Sequence, residues 1–303
     1  MKQNTEQALR SIAGAERVWK NEDLKQHTTF RIGGPADYLV TPDGPEMVAE
    51  LIRYCRRESV PYYVLGNGSN LLVGDQGYRG VVIQLFRNYN QIITEGTVIR
   101  AQAGAMLSSV SRQALEHELT GLEFASGIPG TIGGAMVMNA GAYGGEMKDV
   151  VREVTVLTPD GELLVIPADR MEFGYRTSIV EKNHYIVIET VLQLQQGCRA
   201  EILERMEQLR AQRISKQPLD MPSAGSTFKR PEGHFAGKLI MDAGLRGFSV
   251  GGARVSDKHC GFVVNTGDAT ASDVLELIRQ VQDRVREQSG IELEPEVKML
   301  GEF

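Results

Sequence analysis

Four groups of residues in this chain have the types and spacing to do chemistry. The first is Ser126 to Gly145, SGIPGTIGGAMVMNAGAYGG, with glycines at 127, 130, 133, 134, 141, 144 and 145. Glycine loses much backbone entropy when ordered, so this density implies tight turns or a close approach of backbone to another group. A Pro129-Gly130 turn feeding the apolar run Ile132 to Met138 would aim several amides, and a helix N-terminus, at an anion such as a pyrophosphate. A Gly-rich surface loop is the alternative, and this segment alone does not choose between them. The second group, Tyr175-Arg176-Thr-Ser178, follows a Phe-Gly turn, where an Arg can fork onto a carboxylate or lie at the surface. The third, Ser223-Ala-Gly-Ser226-Thr-Phe-Lys229, is small, hydroxylated and ends in a base. A Ser-rich turn is its plain reading, and no G-x-S-x-G surrounds Ser226 to mark a hydrolase nucleophile. The fourth, Glu292-Leu-Glu294-Pro-Glu296-Val-Lys298, carries three carboxylates. Glu296 opens an apolar final strand over 296–300 and is the one expected to point inward, while Glu292 and Glu294 read as a solvated face. His259, between Lys258 and Cys260, is a base, a ligand or a structural imidazole; the other histidines show no metal spacing.

The elements that must hold these groups alternate between helical and strand patterns. After a polar amphipathic helix at the N-terminus comes His27-Thr-Thr-Phe-Arg-Ile-Gly-Gly-Pro-Ala36, then a strand at 38–40 and a Thr41-Pro-Asp-Gly44 turn. Pro45 suits the first position of a helix carrying Met47, Val48, Leu51, Ile52 and Cys55. A strand at 61–65 runs into Gly66-Asn-Gly-Ser-Asn-Leu71, which resembles half of a dinucleotide fingerprint. Leu71 stands where the third glycine belongs and no clear helix follows, which excludes a Rossmann unit. Strands are expected at 81–85, 91–94, 98–103, 150–157, 162–166 and 185–194, with a helix from Met106 to Leu119. Near Gly197 the pattern shifts to a charged helix at 200–214. Beyond it follow a short helix at 235–243, strands at 248–250 and 261–265, and a long helix N-capped by Ser272. The fold class is α+β.

At 303 residues the chain is long for one core. No apolar run approaches the roughly 20 residues of a membrane helix, and the N-terminus lacks a signal-peptide h-region, so a cytoplasmic protein without membrane insertion is expected. Cys55, Cys198 and Cys260 are odd in number and far apart, which points to reduced thiols and no metal site. Net charge is −6, which argues against nucleic acid. From Arg213 to Lys258 the balance is +4 against −10 for the remainder. A local positive excess in an acidic chain suits a small anionic ligand. No motif encodes the oligomeric state; a monomer is the expectation.

Taken together, the His27–Ala36 motif, Leu65-Gly-Asn-Gly-Ser-Asn-Leu-Leu72, Gly127-Ile-Pro-Gly-Thr-Ile-Gly-Gly134, Asn139-Ala-Gly-Ala-Tyr-Gly144, Tyr175-Arg-Thr-Ser178, Ala224-Gly-Ser-Thr-Phe-Lys229 and Leu293-Glu-Pro-Glu-Val297 resemble the UDP-N-acetylenolpyruvoylglucosamine reductase (UDP-N-acetylmuramate dehydrogenase) family. The resemblance runs from about residue 25 to 300, in order. It implies a vanillyl-alcohol-oxidase (PCMH)-type fold, with FAD-binding subdomains at 1–88 and 89–198 and a substrate-binding domain at 199–303. It further implies noncovalent FAD, since no His or Cys in the glycine motifs could tether it. The residues implied to hold FAD are Arg31, Gly66, Asn67, Gly68, Ser69, Asn70, Leu71, Gly127, Ile128, Pro129, Gly130, Thr131, Gly133, Gly134 and Ala135. Asn139, Ala140, Gly141 and Tyr143 would stand beside the flavin ring.

NADPH is the implied co-substrate and a sugar nucleotide the substrate. In the family's reaction a hydride reaches the terminal carbon of an enolpyruvyl ether and a proton reaches its neighbour. Ser226 would donate that proton, Arg176 would clamp the substrate carboxylate, and Glu296 would assist at the carboxylate. Arg213, Lys216, Lys229 and Lys258 are candidates for the UDP diphosphate, with Tyr175 and His259 as further substrate-side residues. Some family members carry an inserted Tyr-bearing loop, and this chain passes from Leu194 to the next helix without it. An FAD-linked oxidase of another alcohol or sugar explains the glycines equally well but not Ser226 with Glu296. A non-catalytic sugar-nucleotide binder would be colourless.

Overall fold

The structure, a computed structural model, describes residues 3–303. Its backbone gathers into two compact units interleaved along the chain: Met1–Lys20, Tyr38–Asn67 and Gly80–Arg213 form the first, and Asn21–Asp37, Gly68–Arg79 and Ile214–Phe303 the second. The segments 1–88, 89–198 and 199–303 expected from the sequence are contiguous, whereas here two short early segments join the C-terminal residues.

In the first unit Pro45 opens the helix Pro45–Arg57, where its missing amide proton is one the helix would leave unbonded anyway. Val48, Leu51, Ile52 and Cys55 recur on its inner face and are fully buried. The strand Tyr62–Leu65 pairs in parallel with Tyr78–Gln84, Leu65 opposite Gln84. An antiparallel sheet follows in the order Leu163–Pro167, Val151–Leu157, Ile186–Gln193, Val98–Gln102, Ile92–Glu95. Its central strand, apolar apart from Glu189, Thr190 and Gln193, is buried along most of its length. Only residues 194–198 separate that strand from the helix Arg199–Lys216, and of these Gln195–Gln196 pair with Leu119–Thr120.

The second unit has a sheet in the order Ser223–Ser226, Phe262–Asn265, Ala253–Val255, Ser249–Val250, and the helices Ala236–Asp242 and Ala271–Ser289. Val274, Leu277, Ile278, Val281 and Val285 form the buried stripe of the long helix, at about 1.5–3 kcal/mol for each side chain removed from water. Phe30, Ile32 and Leu72 share their core. These early segments are joined to the C-terminus by main chain against main chain. Gly34 N–H donates to Gly74 O and Gly74 N–H to Leu300 O, both 2.9 Å. A Cβ on Gly77 would stand 1.9 Å from Pro35 O, so no other residue fits there. The final strand, Lys298–Leu300, lies parallel to Leu71–Val73. It starts two residues later than expected because the Glu296 amide is engaged elsewhere, with Thr227 O at 2.8 Å.

The expected cap Ser272 lies inside the long helix, and Thr270 is the cap. The Thr270 hydroxyl accepts from Asp273 N–H and the Asp273 carboxylate from Thr270 N–H, each at 3.0 Å, a reciprocal box that Ser272 has no partner to form. Ser272 instead donates its hydroxyl (2.7 Å) and amide (3.0 Å) to Asp75, which also accepts from Ala271 N–H (2.7 Å). Cys55 and Cys260 are buried and Cys198 is exposed, all three as free thiols. Burial pushes Cys55 up to about 12 and raises Cys260 as well. Among the described residues no helix is long and apolar enough to cross a membrane.

Burial alone would raise the Asp75 pKa, but the hydrogen bonds from Ser272 and Ala271 outweigh it and hold the carboxyl below its ordinary 3.8. A depressed carboxyl stabilises the fold above its unfolded pKa, and that contribution is lost as pH falls through the lower folded value. Asp75→Asn should therefore cost about 1 kcal/mol at neutral pH, as for a lost helix cap. The difference from the parent should shrink below the ordinary carboxyl pKa, as read by denaturant unfolding of both proteins at neutral and acid pH.

Candidate active site

In the first unit the two glycine stretches lie against each other. A Cβ on Gly66 would meet Thr131 Oγ1 at 2.5 Å, and Asn67 Nδ2 donates to Pro129 O at 2.6 Å. Thr131 caps the helix Ile132–Met138, its hydroxyl accepting from Gly134 N–H. The Ile132 and Gly133 amides, expected to be bare at this helix start, donate to Ala105 and Ala103 carbonyls at 2.8 Å each. A helix start tied in this way to the turn after the strand Val98–Gln102 keeps these two amides occupied. Just ahead of it, the Gly127, Gly130 and Thr131 amides meet no protein acceptor among the described residues.

Asn139 ends that helix in the left-handed region, φ 43°, and is 1% exposed. Its Nδ2 donates to Glu146 Oε2 (2.8 Å) and Gly174 O (3.2 Å), and its Oδ1 accepts from Lys148 N–H (2.9 Å). The Arg176 turn follows: Gly174 N–H bonds to Thr177 O at 3.1 Å, Arg176 has φ 56°, and its guanidinium carbon lies 5.2 Å from the Tyr175 ring centre. Tyr175 is 52% exposed. The Lys148 ammonium, then the Asn139 amide, hold the Glu146 carboxyl below its usual range against the opposing effect of burial, and the Arg176 charge adds to them. Half-buried Arg213 packs on Gly127, where a Cβ would stand 3.1 Å from its Cδ. Burial lowers its pKa, opposed by nearby Tyr143. It forms no ion pair among the described residues, and a guanidinium keeps its proton regardless.

In the second unit Gly68 has φ 61° and no room for a side chain, since a Cβ would lie 2.3 Å from His27 O. Thr29 N–H donates to Gly68 O at 3.2 Å, and the neighbouring Thr28 hydroxyl is buried without a hydrogen-bond partner. Asn70 is bonded to the Glu296 segment: its Nδ2 donates to Glu296 O and its carbonyl accepts from Lys298 N–H, both at 3.0 Å. Glu296 N–H bonds to Thr227 O, and Lys229 N–H to Glu294 O at 2.8 Å, so the segment of Glu296 runs beside the chain that leaves Ser226. Ser226 sits opposite Phe262 at the end of a bulge, with Gly225 at φ 77°. Such irregularities re-aim a side chain at the edge of a sheet.

The remaining predicted residues divide by their partners. The Lys229 ammonium is paired with Glu294, and Lys258 Nζ donates to Ile214 O. The Arg31 side chain is exposed, while its carbonyl accepts from buried Asn265 at 3.4 Å. His259 Nδ1 accepts from Gly261 N–H at 3.1 Å, its ring packs edge-on to Phe262, and burial lowers its pKa, which keeps the imidazole neutral. Arg176 belongs to the first unit, and Ser226 and Glu296 to the second. Thr28 and Glu146 were not singled out from the sequence. Thr28 was within reach as a hydroxyl in the His27–Ala36 motif, whereas nothing distinguishes Glu146 from an ordinary surface acid.

Two family models match the chain: the FAD binding domain at residues 36–166, and the UDP-N-acetylenolpyruvoylglucosamine reductase C-terminal domain at residues 217–300. The UDP-N-acetylenolpyruvoylglucosamine reductase of Caldanaerobacter subterraneus subsp. tengcongensis is 53% identical over 97% of this chain and 97% of its own. The chain belongs to the UDP-N-acetylenolpyruvoylglucosamine reductase family. The crystal structure of the Thermus caldophilus UDP-N-acetylenolpyruvylglucosamine reductase superposes with a TM-score of 0.81 at 39% identity, covering 94% of this chain and 99% of that one. A more distant structure, the glucose dehydrogenase Phl p 4.0202, gives 0.50 at 15% identity over 64% of this chain and 44% of its own, and shares the fold alone. Like other members of the family this chain is an oxidoreductase with an α+β FAD-binding fold, and its cofactor is FAD.

The residues present fit that cofactor. The first unit offers open amides at Gly127, Gly130 and Thr131, donors of the kind a dinucleotide diphosphate accepts. The second unit, taken by itself, holds the Thr28 hydroxyl buried without a partner beside the Gly68 turn. Gly68→Ala must displace the His27 carbonyl and strain a left-handed residue, so the purified variant should carry markedly less flavin per polypeptide. Parental flavin absorbance relative to protein would count against the Gly68 turn as part of the cradle.

Proposed function

We propose that this chain reduces UDP-N-acetylglucosamine enolpyruvate to UDP-N-acetylmuramate at the expense of NADPH, in the cytoplasm, as a step of peptidoglycan precursor synthesis. The observation that supports the residue assignments is the cross-bonding of the Ser226 and Glu296 segments, Glu296 N–H to Thr227 O and Lys229 N–H to Glu294 O. It brings a hydroxyl and a carboxylate onto adjacent backbone in the second unit. In functional terms residues 1–88 and 89–198 hold the cofactor, by the glycine motifs, and 199–303 supply most of the substrate contacts.

Bound FAD supplies the hydride transfer, from NADPH to the terminal carbon of the enolpyruvyl double bond. The protein's own groups complete the addition. Arg176 forks onto the substrate carboxylate and stabilises the negative charge that builds on the carbon attached to it. The Ser226 hydroxyl gives its proton to that carbon, and Glu296 hydrogen-bonds at the same carboxylate. A serine hydroxyl is a weak acid, so it serves only when aimed at a strongly basic carbon. Tyr175, exposed next to Arg176, closes over the substrate in place of an inserted loop. Of the bases offered for the UDP diphosphate, Arg213 and Lys216 have no ion pair among the described residues, whereas Lys229 is neutralised by Glu294.

Ser226→Ala should bind FAD and be reduced by NADPH as the parent is. Its anaerobic reoxidation by the enolpyruvyl sugar nucleotide should fall by ~10² to 10⁴, the usual contribution of a general acid. Parental turnover in this variant would remove Ser226 from the mechanism. Reoxidation of the parent by oxygen in preference to the sugar nucleotide would assign it to an oxidase.

A further inference from the structure

Asn139 has the composition of a cofactor-facing residue and the bonding of an internal brace. Both protons of its amide are donated within the protein, to Glu146 Oε2 and Gly174 O, and its oxygen accepts from Lys148 N–H. Gly174 O is the carbonyl around which the Arg176 turn is built, since it also accepts from Thr177 N–H at 3.5 Å. The far end of the same turn is fixed to the same helix, with the Ser178 hydroxyl donating to Val137 O at 3.0 Å. Between these two fastenings Arg176 is held at φ 56°, a strained conformation for a residue with a side chain, which persists only where the surroundings over-determine it. Asn139 is itself left-handed, as asparagine tolerates better than most residues. Its second acceptor, Glu146, is a carboxylate that the Arg176 charge helps to stabilise.

We propose that Asn139 is a positioning residue: it fixes the turn that presents Arg176 to the substrate carboxylate, through Gly174 O on one side and Glu146 on the other. The proposal rests on the clamp role given to Arg176 above. Asn139→Asp keeps the shape, the left-handed tolerance and the acceptor for Lys148 N–H, and removes both donors. Flavin content and anaerobic reduction by NADPH should stay at parental levels. Reoxidation by the enolpyruvyl sugar nucleotide should slow by roughly 10- to 100-fold, the cost of a small misplacement of a positioned group. Placed in Arg176→Ala, the same substitution should change reoxidation no further, because the two residues act as one unit.

Loss of flavin, equal slowing of both half-reactions, or an effect that multiplies on top of Arg176→Ala would make Asn139 a cofactor or general scaffold residue and overturn the proposal. Should Asn139→Asp fail to fold, Asn139→Gly takes φ 43° without strain and carries the same measurements. Parental reoxidation in Arg176→Ala alone would instead defeat the clamp reading, whatever Asn139 does.

Discussion

The second unit exists because three stretches of backbone, from residues 21–37, 68–79 and the C-terminus, come close enough to bond directly. Side chains would keep them apart. Gly77 against Pro35 O and Gly301 against Gly77 O leave about 2 Å where a Cβ would stand, less than any real contact allows. Main-chain hydrogen bonds from Gly34 to Gly74 and from Gly74 to Leu300 then replace what packing would otherwise supply. Several consequences follow from this seam. Leu72 reaches a core built mainly from Ala224 to Val297, Asp75 reaches the start of the long helix, and Asn70 reaches the backbone on either side of Val297.

The chemistry inherits this arrangement. Glu296 is placed through its own peptide groups, its carbonyl accepting from Asn70 Nδ2 and its amide donating to Thr227 O. Arg176 is treated alike in the first unit, where Asn139 Nδ2 donates to Gly174 O on one side of it and the Ser178 hydroxyl to Val137 O on the other. Function-bearing side chains on externally braced backbone can be tuned or replaced without dismantling the fold.

Much of the fold was legible in the sequence because it rests on local pattern. The apolar spacing of Pro45–Arg57, the alternation of the antiparallel strands and the absence of a helix after Leu71 all survive, the last as the short strand Leu71–Val73. Long-range pairing was not legible. Ser272 and Thr270 are equally good caps by type, and only the reciprocal bond with Asp273 separates them. The glycines of the seam look like any turn glycine, since the atom that excludes a side chain belongs to a distant segment. Of the candidate site, the glycine motifs and the residues Arg176, Ser226 and Glu296 could be named from motif resemblance. The part played by Asn139 could not, because an asparagine after a short helix signals a turn and says nothing of which carbonyl it will bond.

The three cysteines divide the molecule's reactivity unevenly. Cys55 and Cys260 are buried thiols held in their protonated form, while Cys198 stands exposed just ahead of the helix Arg199–Lys216. A thiol-directed dye would therefore attach to the native chain at one place, at the foot of the helix whose far end carries Arg213. The protein comes with its own attachment point for a fluorescent label, and no cysteine has to be engineered in or out to use it.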